Sequence, residues 1–417
     1  MQELQISTRR SFIGQGLGVV GVGAALPSFL VQSAMAGPKA ETDQPILVVV
    51  QLSGGNDGLA TIVPFGDDAY AANRPTLRTP DDELLKIDDY SAFCPELAPF
   101  KKLYDDNQLA VVQAVGYPNP NKSHFTSMDI WHTADNRFRR TPDKEPYGWV
   151  GRYHDTAFKD VINANLAIAV NMGKSPLAIR GKTHPGLSLK DPRTFQYMAA
   201  GEDMAKKKMY RKLNDPKSIT TGGPSALDFI TRTSTNANKA SDEILGLIKN
   251  TKPDVEYPES RLAQSLQMVS AMIKGNLETR VYYVSQGGYD THAGQGTRHV
   301  NLMTELSEAV AAFQADLKAQ RNADRVLTMA FSEFGRRVKE NGSKGTDHGK
   351  AAPMFLFGPN VKSGLYGDSP SLTDLDGGDL KYKVDFRSVY ATVLDRWMKT
   401  DSRKLLGAKY EHIGLMA

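Results

Sequence analysis

Short apolar runs, each followed by a polar or glycine-rich loop, constrain the fold of this sequence more than any other feature. Ile46–Leu52 is nearly uninterrupted and β-branched, which is typical of a central strand covered on both faces. Leu109–Val115, Thr279–Ser285, Arg325–Phe331 and Pro353–Gly358 indicate further strands. Because helical stretches alternate with these runs, the sequence predicts an α/β fold with a mostly parallel sheet.

Composition narrows the class of protein. The chain has 417 residues, of which 40% are hydrophobic and 24% charged, as in ordinary globular proteins. Its single cysteine, Cys94, excludes an intramolecular disulfide framework. The net charge is +4, and no basic run is interleaved with aromatic residues, so we expect no nucleic-acid partner.

The first 36 residues indicate an export signal. Arg9 and Arg10 precede a weakly hydrophobic stretch from Gly14 to Val31, and Ala34-Met35-Ala36 has the small residues that a signal peptidase prefers. We predict a twin-arginine signal peptide over 1–36, recognised by the twin-arginine export machinery. The alternative is an uncleaved anchor. After cleavage the domain would span 45–417, with no membrane span and a periplasmic or secreted location.

Between about 172 and 252 the chain becomes richer in glycine, lysine and polar residues, and its apolar runs shorten. Helical stretches are predicted near 192–213 and 226–249. We interpret the region as a helical insertion that covers the functional edge of the sheet.

Acidic and imidazole side chains follow two of the predicted strands. Asp57 lies in Ser53-Gly54-Gly55-Asn56-Asp57-Gly58, directly after the first strand. Asp290 and His292 follow a later strand, and their i, i+2 spacing in an extended segment points both to one side. Ligands bind at the carboxyl ends of strands in open α/β sheets. The alternatives are a helix cap or turn for Asp57 and a polar turn for the pair.

The segment after Arg325–Phe331 adds more such groups. Glu333 is another strand-end carboxylate, and Arg336 could hold an anionic oxygen or pair with Glu333. On the irregular loop that follows, Asp347 and His348 can both turn to one point, as a divalent cation requires. Alternatively, Asp347 caps backbone amides and His348 lies in solvent.

Ser123 is predicted just before a helix that begins near Thr126. A hydroxyl in that position gains from the helix dipole and from free backbone amides, which also attract anions. The alternative is that Ser123 is only an N-cap. Carboxylates and neutral imidazoles without a thiolate suit zinc, manganese or a similar divalent ion.

The sequence resembles the alkaline phosphatase–sulfatase superfamily and, more closely, the twin-arginine-exported family called domain of unknown function 1501. The motifs that carry this resemblance are Leu52-Ser53-Gly54-Gly55-Asn56-Asp57-Gly58, Ser123-His124-Phe125, Asp129-Ile130-Trp131, Gly288-Tyr289-Asp290-Thr291-His292, Ser332-Glu333-Phe334-Gly335-Arg336 and Gly345-Thr346-Asp347-His348-Gly349. The resemblance implies a three-layer, doubly wound, alkaline phosphatase-like α/β domain.

The resemblance also implies a two-metal site. One cation would be held by Asp57, Asp347 and His348, and the other by Asp290 and His292. Ser123 falls where the superfamily has its nucleophile, while His124 or Arg336 could stabilise the equatorial oxygens of the transferred group.

Two differences between this sequence and the superfamily pattern affect the expected activity. The superfamily usually has more residues between the Asp and the His represented here by Asp290 and His292. It also has a further histidine downstream, for which this chain offers only His412.

We therefore expect an exported metal-dependent hydrolase that uses a serine nucleophile on small-molecule or polymer esters of phosphate or sulfate. The alternative is a non-catalytic exported binding or assembly protein with the same fold. A sulfatase with a modified cysteine is not expected, because Phe93-Cys94-Pro95 lacks the Cys-x-Pro-Ser-Arg pattern.

Overall fold

The computed structural model describes residues 44–137, 146–159, 163–189, 205 and 244–416. The signal peptide predicted at 1–36 and most of the insertion predicted at about 172–252 lie outside these ranges, and both stay predictions. The helices predicted near 192–213 and 226–249 fall largely in the same undescribed part. Within the described ranges, no helix combines the length and the apolar character needed to cross a bilayer.

Strands and helices alternate along the described chain. The strands are β1 (Ile46–Ser53), β2 (Ile62–Val63), β3 (Leu85–Lys86), β4 (Ala92–Phe93), β5 (Leu109–Gly116), β6 (Ala167–Val170), β7 (Leu187–Leu189), β8 (Val281–Gly287), β9 (Val326–Ser332), β10 (Ala352–Phe357), β11 (Gly364–Tyr366), β12 (Leu375–Asp376), β13 (Asp379–Leu380) and β14 (Val384–Asp385). The α-helices are α1 (Gly58–Thr61), α2 (Asp68–Asn73), α3 (Ala98–Asp105), α4 (His124–Thr133), α5 (Trp149–Ala157), α6 (Arg261–Lys274), α7 (Gln295–Ala319), α8 (Phe386–Thr392) and α9 (Ser402–Leu406).

The main sheet has the strand order β11-β5-β10-β9-β1-β8-β6-β7, with β14 paired to β5. β1 pairs in parallel with β8 and β9, and β6 pairs in parallel with β8 and β7. Among the strands described in this sheet, only β10 runs the other way, antiparallel to both β9 and β5. The loop from β9 to β10 contains no crossover helix, so the chain turns straight back. The predicted α/β class with a mostly parallel sheet is confirmed.

β1 is buried along its length apart from Ser53, and its side chains alternate between two apolar layers. One layer contains Ile46, Val48, Val50 and Leu52 with apolar residues of α3, α6 and α7. The other layer contains Leu47 and Val49 with apolar residues of α4, α5 and α8. Helices therefore cover both faces of the sheet, which confirms the predicted three-layer arrangement.

The strand directions fix where the functional loops lie. β1, β5, β8 and β9 all end at the same edge of the sheet, and β10 begins there. The loops that carry the candidate site residues therefore meet at this edge, which we call the rim.

The boundaries of helices and strands agree closely with the prediction where the hydrophobic pattern of the sequence is strong. α4 begins at His124, two residues before the predicted start. The helix α8 continues as a π-helical turn over Val393–Trp397. The small sheet β2-β4-β3 was not predicted, because strands of two residues carry no readable alternation. β7 lies within the stretch predicted as an insertion and pairs with β6.

Candidate metal centre

Three side chains from two rim loops converge on one point. The Nε2 atom of His348 lies 3.0 Å from Nε2 of His292 and 3.1 Å from Oδ1 of Asp290. The Nε2 atom of His292 is also 3.1 Å from the same Asp290 oxygen. Two nitrogens and one oxygen thus form a compact triangle, close to the roughly 3.3 Å spacing expected of ligands around a tetrahedral zinc ion.

His124 faces this triangle from α4. Its Nε2 atom lies 3.5 Å from Oδ2 of Asp290, and its ring centroid is 4.4 Å from that of His348. Ligand atoms of His124, Asp290 and His348 all lie within 4.8 Å of one another. The Nε2 atom of His124 is buried and has no hydrogen-bond partner among the described residues.

The opposite nitrogen of each imidazole is held by an oxygen. Nδ1 of His348 lies 2.8 Å from the carbonyl oxygen of Lys122. Nδ1 of His124 lies 2.8 Å from Oε1 of Glu333, and Nδ1 of His292 lies 3.3 Å from Oδ1 of Asp347. Carbonyl and carboxylate oxygens accept hydrogen bonds, so each Nδ1 carries the proton. In the neutral rings, Nε2 is left as a lone pair aimed inward.

This pattern is the one that orients metal-ligating histidines in proteins. Lone pairs on the Nε2 atoms of His292 and His348 repel each other and the Asp290 carboxylate unless a cation or a proton lies between them. Burial lowers the pKa of His348, which favours its neutral form. The donor set therefore fits a divalent cation.

Asp290 is the shared acceptor of the centre. Burial acts to raise its pKa, but the hydrogen bond and the positive charge of Arg336 oppose this effect, and the pKa lies well below its usual range. Its side chain is 49% exposed and that of His292 is 47% exposed, so the centre is open to solvent on one side.

Arg336 is a buried residue of the rim, and the contact predicted between it and an equatorial oxygen stays a prediction. Its guanidinium is buried and donates to the carbonyl oxygens of Gly55, Thr346 and Tyr289 at 2.8 Å, to that of Gly54, and to Asp290 Oδ1 at 2.9 Å. No pairing with Glu333 is present among these contacts. These contacts join the three rim loops and position Asp290, whose carboxylate is the anionic group that Arg336 holds.

Two glycines allow the loops to approach this closely. Gly54 has a φ of +125°, and a Cβ there would lie 2.4 Å from the amide nitrogen of Asp290. A Cβ on Gly345 would lie 2.3 Å from the carbonyl of His292. The glycine-rich motifs therefore bring backbones together, which places Asp290 and His292 against the Asp347-His348 loop.

Glu333, predicted as a metal ligand, lies behind His124. The carboxylate is buried, with Oε1 accepting from His124 and from the Gly54 amide at 2.9 Å, and Oε2 accepting from Ser332 at 3.2 Å. Its oxygens are thus occupied by protein donors. The hydrogen bond to Glu333 raises the pKa of His124.

Asp57 is not brought to the centre. Its carboxylate is buried and accepts from Arg74 Nη1 at 2.6 Å, from Arg74 Nη2 at 3.0 Å and from Gln295 at 2.5 Å. The prediction that Asp57 shares a cation with Asp347 and His348 is therefore not supported by this geometry. Both oxygens already serve a buried ion pair.

Asp347 is adjacent to His348 but turns away from the triangle. It holds Nδ1 of His292, and Nδ2 of Asn341 lies 3.3 Å from the same Asp347 oxygen. Asp347 is therefore placed to orient His292, with Asn341 as its neighbour.

An Asp347→Asn variant is expected to bind the metal about 10- to 100-fold more weakly, without losing it, because an orienting partner and not a ligand is changed. Competition against a chromophoric chelator measures this affinity. Asp105→Asn is a matched control, since Asp105 is similarly exposed and pairs only with Lys101 on the surface of α3. Equal affinity in wild type and Asp347→Asn would argue against this role.

Ser123 occupies the N-cap position of α4, but its side chain makes no capping hydrogen bond. Its amide donates to Asn121 Oδ1 at 2.8 Å, and its carbonyl accepts from the Ser127 amide at 2.8 Å. It lies between Lys122, whose carbonyl holds His348, and His124. Ser123 is thus a sequence neighbour of two residues that contribute to the centre, and its hydroxyl makes no capping hydrogen bond.

The remaining candidates lie elsewhere. Nε2 of His412 is 2.6 Å from Asp395 Oδ2, in the C-terminal part of the fold, and does not join the centre. Cys94 is buried, and burial raises the pKa of its thiol well above the usual value.

Sequence reasoning missed the partners that hold the candidate residues in place. These are the Lys122 carbonyl, Asn341, Arg74 and Gln295. A backbone carbonyl leaves no mark in a sequence, and none of the three side chains belongs to a metal-ligand pattern.

Residues 249–413 match a family model described as a protein of unknown function, DUF1501. We call this matched part, which is less than half of the 417 residues, the DUF1501 region. The family predicted from the motifs is thereby confirmed, and the DUF1501 region contains Asp290, His292 and His348 together with Glu333, Arg336 and Asp347. Ser123 and His124 lie outside it. No curated protein sequence matches the chain.

Several solved structures are similar to most of the chain at low identity. The C-terminal periplasmic domain of EcEptC from Escherichia coli, in complex with Zn, is 11% identical, with a TM-score of 0.38 over 78% of this chain and 76% of that chain. The PsFucS1 sulfatase from Pseudoalteromonas sp. is 11% identical, with a TM-score of 0.39 over 94% and 76%. A protein in the alkaline phosphatase superfamily from Vibrio parahaemolyticus is 8% identical, with a TM-score of 0.35 over 92% and 79%.

Proposed function

We propose that this protein is an exported metal-dependent hydrolase of phosphate or sulfate esters, with one divalent cation held by Asp290, His292 and His348. The observation that supports it is the common orientation of the imidazoles. Each Nδ1 lies against an oxygen, and each Nε2 faces Asp290. Such an arrangement serves cation binding and has no equally simple structural purpose.

The donor set favours zinc, with manganese as the second choice, because imidazole nitrogens outnumber the carboxylate. When bound, the cation would stabilise negative charge that develops on the ester oxygens in the transition state. The protein keeps the ligands oriented through the Lys122 carbonyl, Asp347 and Arg336. Since Asp290 and His292 are about half exposed, a substrate can reach the centre from solvent.

Ser123 is proposed as the nucleophile. Its Oγ atom would form a bond to phosphorus or sulfur while the bond to the alcohol oxygen breaks, and the alcohol leaves with a proton. Water would then cleave the serine ester and release phosphate or sulfate. The position at the start of α4 supports this role, because the first helix amides can donate to anionic oxygens.

His124 is proposed to bind one of those oxygens. Glu333 raises its pKa, so His124 carries a positive charge more readily than an isolated imidazole. Its Nε2 atom has no hydrogen-bond partner among the described residues, and in the charged ring it would donate to a substrate oxygen that enters the centre.

Export by the twin-arginine route, predicted from 1–36, would deliver this protein already folded. A periplasmic or secreted location follows, with the export machinery as a partner. That order of events would allow the centre to take up its cation before export.

A second candidate is a non-catalytic exported binding or assembly protein that retains the metal. The observation that favours it is the engagement of Asp57 with Arg74, which deprives the second cation of the carboxylate that the resemblance implied. A single cation without turnover would then be the functional state.

Metal analysis and intermediate trapping together test the proposal. We expect about one equivalent of metal in protein exported natively, hydrolysis of aryl phosphate or aryl sulfate, and a covalent mass increase on the Ser123 peptide after acid quenching. Ser123→Ala is expected to lose the trapped adduct and keep the metal. Stoichiometric metal with neither turnover nor adduct would favour the binding protein, and absence of metal would refute both.

A further inference from the structure

Beside the metal centre, three cationic side chains gather around one buried carboxylate. Asp379 is 1% exposed and lies on the β12–β13 hairpin. Its Oδ2 atom is 2.5 Å from Nζ of Lys122 and 3.7 Å from Nζ of Lys350, and its Oδ1 atom is 3.4 Å from Nε of Arg337. We call Lys122, Arg337 and Lys350 the cationic cluster.

Each member of the cationic cluster is tied to the metal centre through its own loop. The Lys122 carbonyl holds His348, and Lys350 follows His348 by two residues. The Arg337 amide donates to the carbonyl of Asp347 at 2.9 Å. The positive charge of Arg337 also contributes to the lowered pKa of Asp347, after the hydrogen bond from Asn341. The cationic cluster is therefore a neighbour of the cation ligands at the rim.

Among the described residues, two carboxylates lie within ion-pair distance of the cationic cluster. One is Asp379, and the other is Asp376, whose Oδ2 atom is 2.5 Å from Nζ of Lys350. The side chains of Lys122 and Arg337 remain 35% and 42% exposed. An ammonium has three donors and a guanidinium five, and the contacts to Asp379 and to the Gly377 carbonyl use only part of them. Donors and positive charge are thus left on the solvent side.

The buried carboxylate explains how long, flexible cations can form a binding site. Asp379 lies against Lys122 and within 4 Å of Arg337 and Lys350 before any ligand arrives, and such preorganisation lowers the conformational entropy lost on binding. Guanidinium and ammonium groups held together recognise tetrahedral oxyanions through charge-assisted hydrogen bonds.

We propose that the cationic cluster is a second anion subsite, which binds a phosphate or sulfate group of the substrate other than the one transferred at the metal centre. The preferred substrates would be esters with at least two such groups. This inference rests on the proposed function for its kinetic consequences, but anion binding by Lys122 and Arg337 can be measured without turnover.

Two matched aryl esters test the subsite. Phenyl phosphate offers one anionic group, and 4-sulfophenyl phosphate adds a sulfonate on the far side of the ring. Wild type is expected to prefer 4-sulfophenyl phosphate in kcat/KM. In Arg337→Gln and in the double variant Lys122→Gln/Arg337→Gln, the ratio of the two kcat/KM values is expected to fall, by about tenfold in the double variant.

The control is Lys274→Gln, since Lys274 is 33% exposed and pairs with Asp254 at 2.7 Å on a different surface. Its ratio should equal that of wild type. Lys350 stays beside Asp379 in all variants, so the buried carboxylate keeps a cation. If the cationic cluster only fixes the β12–β13 hairpin, the melting temperature will fall in the variants while the ratio stays constant, and the proposal is overturned.

If the protein does not hydrolyse these esters, the subsite is tested by binding instead of by rate. If neither ester is hydrolysed, titration calorimetry of metal-loaded protein with the two compounds replaces the rate measurement. Tighter binding of 4-sulfophenyl phosphate, lost in the double variant, would support the subsite in a non-catalytic protein. Equal affinities for the two compounds would overturn it.

Discussion

Asp290→Asn is expected to lose tight metal binding and to lower ester turnover by at least about 10³-fold. Asp290 Oδ1 is the common partner of His292, His348 and Arg336, and its charge is the only one in the triangle. An asparagine keeps the shape but contributes a neutral, weaker ligand. Its amide nitrogen, if turned inward, would donate where a cation should bind.

Loss of metal can be separated from loss of fold. Arg336 keeps its carbonyl partners on Gly54, Gly55, Tyr289 and Thr346, so the variant should fold. Metal at about 100 times its Kd is expected to stabilise wild type by about 2.7 kcal/mol and Asp290→Asn much less.

Metal content and unfolding with and without metal are therefore measured together. Asp254→Asn serves as the control, because Asp254 is partly exposed and paired with a lysine far from the rim. Stoichiometric, tightly bound metal in Asp290→Asn would show that the triangle is not the binding site.

The placement of the loops followed from the sequence because it depends on strand direction alone. Buried β-branched runs such as Ile46–Leu52 fix the parallel strands, and parallel strands bring their carboxyl ends to one edge. That reasoning put Asp290, His292 and His348 near one another although His348 follows His292 by 56 positions. The antiparallel strand β10 does not change this placement of the loops, because β10 begins at the edge where β9 ends.

The sequence did not predict the roles of the individual carboxylates, because these roles depend on the direction in which each side chain leaves its loop. Asp347 and His348 are neighbours whose side chains leave the backbone on different sides, so only His348 enters the triangle. Glu333 contacts Nδ1 of His124, the ring nitrogen opposite the one that faces the triangle. A carboxylate at a strand end has the same sequence signature whether it meets a metal, an imidazole or a guanidinium.

The contacts of Asp57 show that the role of a strand-end carboxylate is decided by its partner in the folded protein. Its partner Arg74 follows α2, and nothing near Arg74 in the sequence marks it as the mate of a strand-end aspartate. Arg74 also donates to the carbonyls of Val338 and Arg337, which links the first rim loop to the loop after β9. The ion pair thus supports the rim on which the residues of the candidate metal centre lie.

Removing the Asp57 charge is expected to destabilise the fold by about 3–5 kcal/mol, because Asp57→Asn leaves the Arg74 guanidinium buried without a counter-charge. Urea unfolding at pH 7 measures the free energy of unfolding. The double variant Asp57→Asn/Arg74→Met removes both charges and should recover part of the loss. A difference below about 1 kcal/mol between wild type and Asp57→Asn would contradict a supporting role for this pair.

The same pair predicts how stability changes in acid. Burial alone would raise the pKa of Asp57, but the charge and hydrogen bonds of Arg74 outweigh it and lower the pKa from 3.8 to about 2. A group whose pKa is lower in the folded state stabilises the protein above its unfolded pKa, and that stabilisation disappears as the pH falls through the folded pKa. The shift corresponds to about 2 kcal/mol at neutral pH, of which about 1 kcal/mol is lost by pH 3.

The difference in the free energy of unfolding between wild type and Asp57→Asn should therefore be constant from pH 7 to pH 5 and narrow between pH 4 and pH 2. A gap that stays unchanged in acid would mean that the Asp57 carboxylate is not preferentially ionised in the folded protein.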